Sequence, residues 1–314
     1  ILAPVKTGNL VDNPGFEAGL TDWSGTDFQP NFEAPLEGVG NAFTSTGGIL
    51  SQDVPIGNQP ANSSYLFSFG AFVFGAFVPL QVQILWLDEG GKTIGTPGLS
   101  FALPIGVLGA QNNYLSYLDL TDPAPAGAVT ARILFAPTIE DEDTFFKLDQ
   151  VILIRASSAN LVENPSFENG DEGWTFVNAQ VAVSVDAYEG TNVAVIDEDG
   201  GVIFQDIPLA NAAGHCFLFN SGLKYVRSGT EPGTGHALVK VLWLDDRGRE
   251  IGIGLNLVTF GIALAEGFDP QWLIYTGITD TAPPGTVAAR LQFSKLSGDN
   301  VVLDVDKVVF GRLI

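Results

Sequence analysis

The chain has 314 residues, with 14 Lys and Arg against 36 Asp and Glu, a formal charge of −22 at neutral pH. That excess repels phosphate backbones and speaks against a nucleic-acid partner, while it suits solubility and divalent cations. No apolar run approaches the ~18 residues a bilayer span requires, yet 46% of the residues are hydrophobic, so apolar surface covered by partners is expected.

The first element is an apolar segment, Ile1-Leu-Ala-Pro-Val5. A start at Ile1 without Met reads as a mature chain cleaved from a secreted precursor, which predicts a secreted, extracellular or cell-surface location. The segment is expected to add as a strand to the sheet edge of a neighbouring copy, with Ile1, Leu2 and Val5 as contacts.

Asn9-Leu-Val-Asp-Asn-Pro-Gly-Phe-Glu17, followed by Trp23, returns as Asn160-Leu-Val-Glu-Asn-Pro-Ser-Phe-Glu168, followed by Trp174; motif and Trp share one offset, 160 − 9 = 174 − 23 = 151. Further landmarks keep the order. Gln52-Asp-Val-Pro55 matches Gln205-Asp-Ile-Pro208, Leu85-Trp-Leu-Asp88 matches Leu242-Trp-Leu-Asp245, and Ala131-Arg132 matches Ala289-Arg290. The chain therefore reads as two copies of one domain, 1–157 with the apolar segment 1–8, and 158–314, each of ordinary size for an autonomous fold. The connection at Ala156-Ser-Ser-Ala159 is short and predicts little slack between the copies.

Between these landmarks, short β-branched and aromatic runs bounded by Gly, Pro, Asn and Asp recur without a helical period. Val82, Ile84 and Trp86 alternate with Gln81, Gln83 and Leu85, and Val239, Val241 and Trp243 alternate with Lys240 and Leu242. Each pattern predicts a strand with one face inward, which makes Trp86 and Trp243 core residues. Asp88-Glu-Gly-Gly91 and Asp245-Asp-Arg-Gly248 supply hairpin turns. The predicted fold is all-β: two tandem antiparallel β-sandwich (jelly-roll) domains.

The least typical stretches follow those hairpins, Leu99 to Ala110 and Leu255 to Ala265. Two readings stay open: buried strands, or flaps covered by neighbouring copies, in which case Leu103, Ile105, Val107 and Leu108 join the amino-terminal residues as self-assembly contacts.

Catalytic chemistry is poorly represented. A Ser or Cys nucleophile needs a positioned base, and the only histidines, His215 and His236, both lie in the second repeat. Cys216 beside His215 is expected to diverge from it, as neighbours on a strand do. The acidic run Glu140-Asp-Glu-Asp143 reads as a solvated loop. The chain is therefore expected not to be an enzyme, with acidic hydrolysis ranked well below the other readings.

The opening motif with its Trp, the Leu-Trp-Leu-Asp hairpin, and the closing Leu148-Asp-Gln-Val151 and Val305-Asp-Lys-Val308 resemble the jelly-roll carbohydrate-binding modules of the galactose-binding-like superfamily. The resemblance implies one structural calcium per domain, held by Glu17 with Asp149 and by Glu168 with Asp306. The alternative is that each carboxylate binds backbone amides without metal. The resemblance also implies that Trp23 and Trp174 pack inside, and that glycans bind through aromatic rings, for which Tyr114, Tyr117, Trp272 and Tyr275 are the candidates.

Two functions follow as expectations. The first is a non-catalytic structural protein that forms a homo-oligomer or polymer, such as a filament, layer or coat, through apolar surfaces. The alternative is a tandem carbohydrate-binding module recognising a polysaccharide, with two sites acting through avidity.

Overall fold

A computed structural model describes residues 8–57, 59, 60, 62–75, 78–103, 114–263 and 272–312, with side chains for all of these except 297–299. The chain divides into two compact units, the first reaching Asn160 and the second running from Leu161. In the first unit the strands are β1 (Ser24–Thr26), β2 (Gln29–Asn31), β3 (Asn41–Thr44), β4 (Ile49–Pro55), β5 (Ser64–Phe74), β6 (Leu80–Leu87), β7 (Leu99–Leu103), β8 (Leu115–Leu120), β9 (Thr130–Pro137) and β10 (Phe145–Ala156). They form two antiparallel sheets, β1-β4-β9-β6-β7 and β2-β3-β10-β5-β8.

The second unit has β11 (Thr175–Val177), β12 (Gln180–Val183), β13 (Asn192–Ile196), β14 (Val202–Pro208), β15 (Phe217–Arg227), β16 (Gly233–Leu244), β17 (Glu250–Ala263), β18 (Leu273–Ile278), β19 (Ala288–Asp299) and β20 (Val301–Arg312). Its sheets, β11-β14-β19-β16-β17 and β12-β13-β20-β15-β18, repeat the first unit's order strand for strand. The fold is thus all-β, two tandem antiparallel sandwiches.

Period-two alternation builds each core. In β5, Tyr65, Phe67, Phe69, Ala71 and Val73 are buried, and Ala131, Ile133 and Phe135 of β9 meet them from the facing sheet. Rings bridge the sheets, with Tyr65 5.8 Å from Trp86 and Phe69 5.1 Å from Phe135. The second unit does the same through Phe217 and Trp243 at 5.5 Å and Phe219 and Phe293 at 6.1 Å. Trp86 and Trp243 are buried, as the alternation predicts. Each lies so close to backbone that a Cβ on Gly98 or Gly254 would come within 2.4 or 2.6 Å of its ring, so these two glycines make the slots that the indoles fill.

The repeated landmarks are structural joints. Gln52 and the Asp12 backbone exchange two hydrogen bonds, as do Gln205 and the Glu163 backbone. Arg132 forks onto Asp53 and Arg290 onto Asp206, both at 2.6 and 2.7 Å. In the hairpins, Asp88 accepts from the amides of Gly90 and Lys92, and Asp245 from those of Arg247 and Arg249. Trp23 and Trp174 are buried, their indole N–H groups donating to Asn13 O and to Glu163 O and Asn164 O.

The apolar stretches divide between the two readings. Phe101 and Leu103 on β7 are buried, so Leu103 belongs to the core and not to a self-assembly surface. Ile105, Val107 and Leu108, like Ile1, Leu2 and Val5, lie outside the described residues. On β17, Leu255 and Leu257 pack against the core. Its opposite face shows Ile251, Ile253, Val258, Phe260 and Ile262 to solvent. His215 and Cys216 precede β15 rather than lying on a strand, and Cys216 Sγ meets Thr281 Oγ1 at 3.6 Å. Alternation along a strand therefore does not hold these two side chains apart, contrary to expectation.

Candidate functional site

The outer face of the β2-β3-β10-β5-β8 sheet carries the least expected side chains. Lys147 on β10 pairs in register with Phe43 on one side and Phe72 on the other, and Phe145 pairs with Phe74. Residues paired across strands share a sheet face, so these five side chains project together, away from the core, and Tyr114 joins them from just before β8. Phe145 stacks on Phe74 at 5.1 Å and on Phe72 at 6.0 Å, and touches Phe43 at 5.4 Å; Phe72 meets Tyr114 at 5.4 Å. Phe74 is 47% exposed and the other rings are half-buried. An aromatic surface turned outward offers flat apolar faces on which sugar rings can stack.

Lys147 sits within this group, only 5% exposed. Its Nζ lies 5.6 Å from the Phe72 centroid and 5.5 Å from that of Phe145, and it donates to Glu33 O at 2.7 Å. Burial lowers its pKa, and the charge of Glu33 acts the other way. Tyr114 donates its hydroxyl to Ala34 O, and burial, with the charge of Asp149, raises its pKa.

One end of the face is closed by the loop between β2 and β3, and the carboxylates of interest hold that loop. Asp149 accepts from the amides of Leu36, Glu37 and Gln150; Glu17 accepts from Val39 and Gly40. Phe16, buried with φ 56°, makes the left-handed turn that aims Glu17 at the loop. Leu36 rests on Gly70, where a Cβ would fall 2.4 Å from its Cδ2. In the second unit Asp306 accepts from Tyr188, Glu189 and Lys307, and Glu168 from Thr191 and Asn192. Phe167 repeats the turn with φ 57°.

Each nominated carboxylate is thus engaged with backbone amides, the alternative raised from the sequence. A carboxylate offers about four acceptor positions, so room for a cation is left. In the first unit the residues fit one. Glu17 Oε1 and Asp149 Oδ1 both lie within 4 Å of the point where a Gly15 Cβ would be. Burial raises the pKa of Asp149, three amide bonds oppose this, and the charge of Glu17 raises it further. Asn41, next to the Glu17-bound amide of Gly40, has a buried Oδ1 with no hydrogen-bond partner among the described residues. In the second unit a lysine ammonium takes part: Lys307 pairs with Glu189 at 2.8 Å beside the wholly buried Asp306. Burial pushes the pKa of Asp306 well up, helped by Glu189 and opposed by Lys307. No group of three or more His, Cys, Asp or Glu converges among the described residues.

The corresponding face of the second unit has different chemistry. Lys224 pairs in register with Asp304, and Val226 with Val302, at the places of Phe72, Lys147, Phe74 and Phe145. Lys224, 1% exposed, contacts Asp186 at 3.0 Å and Asp304 at 3.5 Å, and its ammonium lies 4.7 Å from the centroid of Trp272. Trp272 donates to Asp186 O and covers Gly222. Burial raises Asp304 to about 6 against the pull of Lys224. Burial also pushes Asp186 up, but Ser184 and Lys224 outweigh it and the pKa falls.

Of the four aromatics proposed from the sequence, Tyr114 and Trp272 lie on the outer faces. Tyr117 is fully buried, stacked on Phe101 at 4.2 Å and Phe69 at 5.2 Å; it is core, because its strand position faces inward. Tyr275 packs against the second core. Sequence reasoning misses Phe43, Phe72, Phe74, Phe145 and Lys147. A signal exists: β5 places Phe67 and Phe69 at one parity and Phe72 and Phe74 at the other, a strand aromatic on both faces.

No protein-family model matches the chain, and no curated protein matches its sequence. Solved structures that resemble it include carbohydrate-binding modules and the enzymatically active domain of bacteriophage CBA120 tailspike protein 4, the latter 17% identical over 49% of this chain and 21% of that one, with a TM-score of 0.37. The tandem CBM22-1-CBM22-2 domain of Paenibacillus barcinonensis Xyn10C is 13% identical over 99% of each chain, with a TM-score of 0.37. The C-terminal family 22 module of Clostridium thermocellum Xyn10B is 13% identical, over 48% of this chain and 91% of that one, with a TM-score of 0.35. TmCBM61, solved with β-1,4-galactotriose, is 17% identical over 47% and 98%, with a TM-score of 0.34. These are likenesses of fold at low identity.

Proposed function

We propose that the chain is a non-catalytic, extracellular carbohydrate-binding protein whose first domain takes a polysaccharide on the outer face of the β2-β3-β10-β5-β8 sheet. The observation that carries this reading is the outward cluster of Phe43, Phe72, Phe74, Phe145 and Tyr114. Core packing does not require five rings on a solvent-facing surface, and stacking on pyranose faces gives them a role. Affinity electrophoresis through gels containing neutral and acidic polysaccharides tests it. Retardation of the wild type by at least one polymer, lost in Phe72→Ala and Phe74→Ala, is expected. Unchanged mobility in every gel would refute it.

Calcium belongs to this reading as a structural ion, with Glu17 and Asp149 holding it in the first domain and Glu168 and Asp306 in the second. The first domain gives the stronger support, since two like charges share a partly desolvated space there. Bound metal would tie the β2–β3 loop more firmly to the sheet. Calorimetry with and without chelator is the check; a melting temperature that does not move removes the ion.

A second reading, self-association, is favoured by β17. This 14-residue strand lies at the edge of its sheet, and Val258, Phe260 and Ile262 are each more than half exposed. A long apolar edge strand invites pairing with another copy of the chain. Sedimentation of the native protein tests it, with a concentration-independent monomer as the contrary result.

A further inference from the structure

The two lysines on the sheet faces differ in one respect. Lys224 is buried with two carboxylates in contact, Asp186 and Asp304. Lys147 is buried almost as deeply, yet among the described residues no carboxylate comes within 4 Å of its ammonium. Among the described residues its one hydrogen bond goes to the carbonyl of Glu33, the rings of Phe72 and Phe145 lie 5.6 and 5.5 Å from it, and the charge of Glu33 acts on it without an ion-pair contact. An ammonium can donate three hydrogen bonds, and the described residues take one of them.

We infer that the aromatic face of the first domain selects an anionic polysaccharide, one bearing carboxylates such as a uronic-acid polymer, with Lys147 as the residue that sets this preference. The inference rests on the carbohydrate reading and deepens it. A neutral sugar laid over Phe72 and Phe145 would strip remaining water from around a cation and offer no counter-charge, which is unfavourable. A uronate stacked on the same rings brings its carboxylate into the field of Lys147 while its pyranose face keeps the aromatic contact. The net charge of −22 opposes this at long range. At physiological ionic strength, charges beyond about 8 Å are largely screened, whereas a partly desolvated ammonium at the platform is not.

A matched pair of polymers provides the test: polygalacturonate and the same polymer after reduction of its carboxyl groups, each titrated against the full chain at low and moderate salt. The wild type should prefer the acidic form by about tenfold, the scale of one charge-assisted hydrogen bond. Lys147→Met should lose the preference and Lys147→Arg should keep most of it. The Arg variant, with the melting temperatures of both, separates lost selectivity from lost folding. Equal binding of both polymers, or a preference unchanged in Lys147→Met, would overturn the inference and leave the carbohydrate reading standing. Binding only to other neutral polysaccharides would do the same. No binding to any acidic or neutral polymer would overturn both.

Discussion

The two domains share strand order, landmarks and core packing, but the outer faces of their corresponding sheets do not share chemistry. In the first, one buried lysine lies among aromatic rings with no carboxylate in contact among the described residues; in the second, the lysine sits on the adjoining strand and is clasped by two aspartates beneath Trp272. Inward positions must match in size and polarity for the sandwich to close, so the repeat preserves them. Outward positions are released from that constraint. What differs between otherwise matching copies is therefore where specialised function is to be sought, and the first domain's face stands out.

The contrast can be broken most directly by removing each lysine. Lys224→Met leaves the buried Asp304 and the partly exposed Asp186 beside each other without a cation, which should cost the second domain about 3 kcal/mol. Lys147→Met removes a charge that no carboxylate among the described residues contacts, and should change stability by less than about 1 kcal/mol. Denaturant melts of the two variants would decide; equal losses would show that the environments are equivalent after all.

A smaller effect concerns pH. Asp304, raised to about 6, takes up a proton in the folded domain before the unfolded chain does. Its charged form is therefore a burden on the fold above pH 6. Relief comes as pH falls through 6 toward the ordinary carboxylate value, and is complete below that value. Between pH 7 and pH 5 this group should add about 1 kcal/mol to the second domain's stability, a gain that Asp304→Asn should abolish. Melting curves across that range check it. A fall in stability that disappears in the variant would reverse the sign and the assignment.

The smallest effect tests the symmetric part of the comparison. Arg132→Ala and Arg290→Ala break matching, partly exposed ion pairs and should each cost about 1 kcal/mol or less, Arg290→Ala slightly more because its guanidinium also lies 4.3 Å from the Phe204 ring centroid. Markedly unequal losses would mean that the repeated landmarks do different work in the two copies.

Much of the fold is legible in the amino-acid sequence. Trp86 and Trp243 enter the core because they share parity with Val82, Ile84, Val239 and Val241 along a strand, and parity is local. The hairpins at Asp88 and Asp245 follow from the glycines that end them, Gly91 and Gly248, at φ 75° and 72°. The site is less legible. Tyr114 and Tyr117 look alike as neighbours, yet odd spacing puts one on the surface and the other in the core. Leu103 reads equally well as flap or strand, and only packing against the other sheet makes it interior. Glu17 and Asp149 are brought to one loop from opposite ends of the domain, and the sequence could name them only through resemblance.

The sequence by itself determined that the molecule is a duplicated β-sandwich, since motif repetition and alternation are carried by residues close together in the chain. The tertiary structure alone decided what each sheet face displays. Lys147 and Phe72 are 147 − 72 = 75 residues apart, and Asp304 and Lys224 are 304 − 224 = 80 apart, yet each pair is directly opposed in register. Strand pairing creates those contacts across distances at which no sequence period operates, so the meeting of a cation with rings in one domain, and with carboxylates in the other, exists only once the sheets have formed.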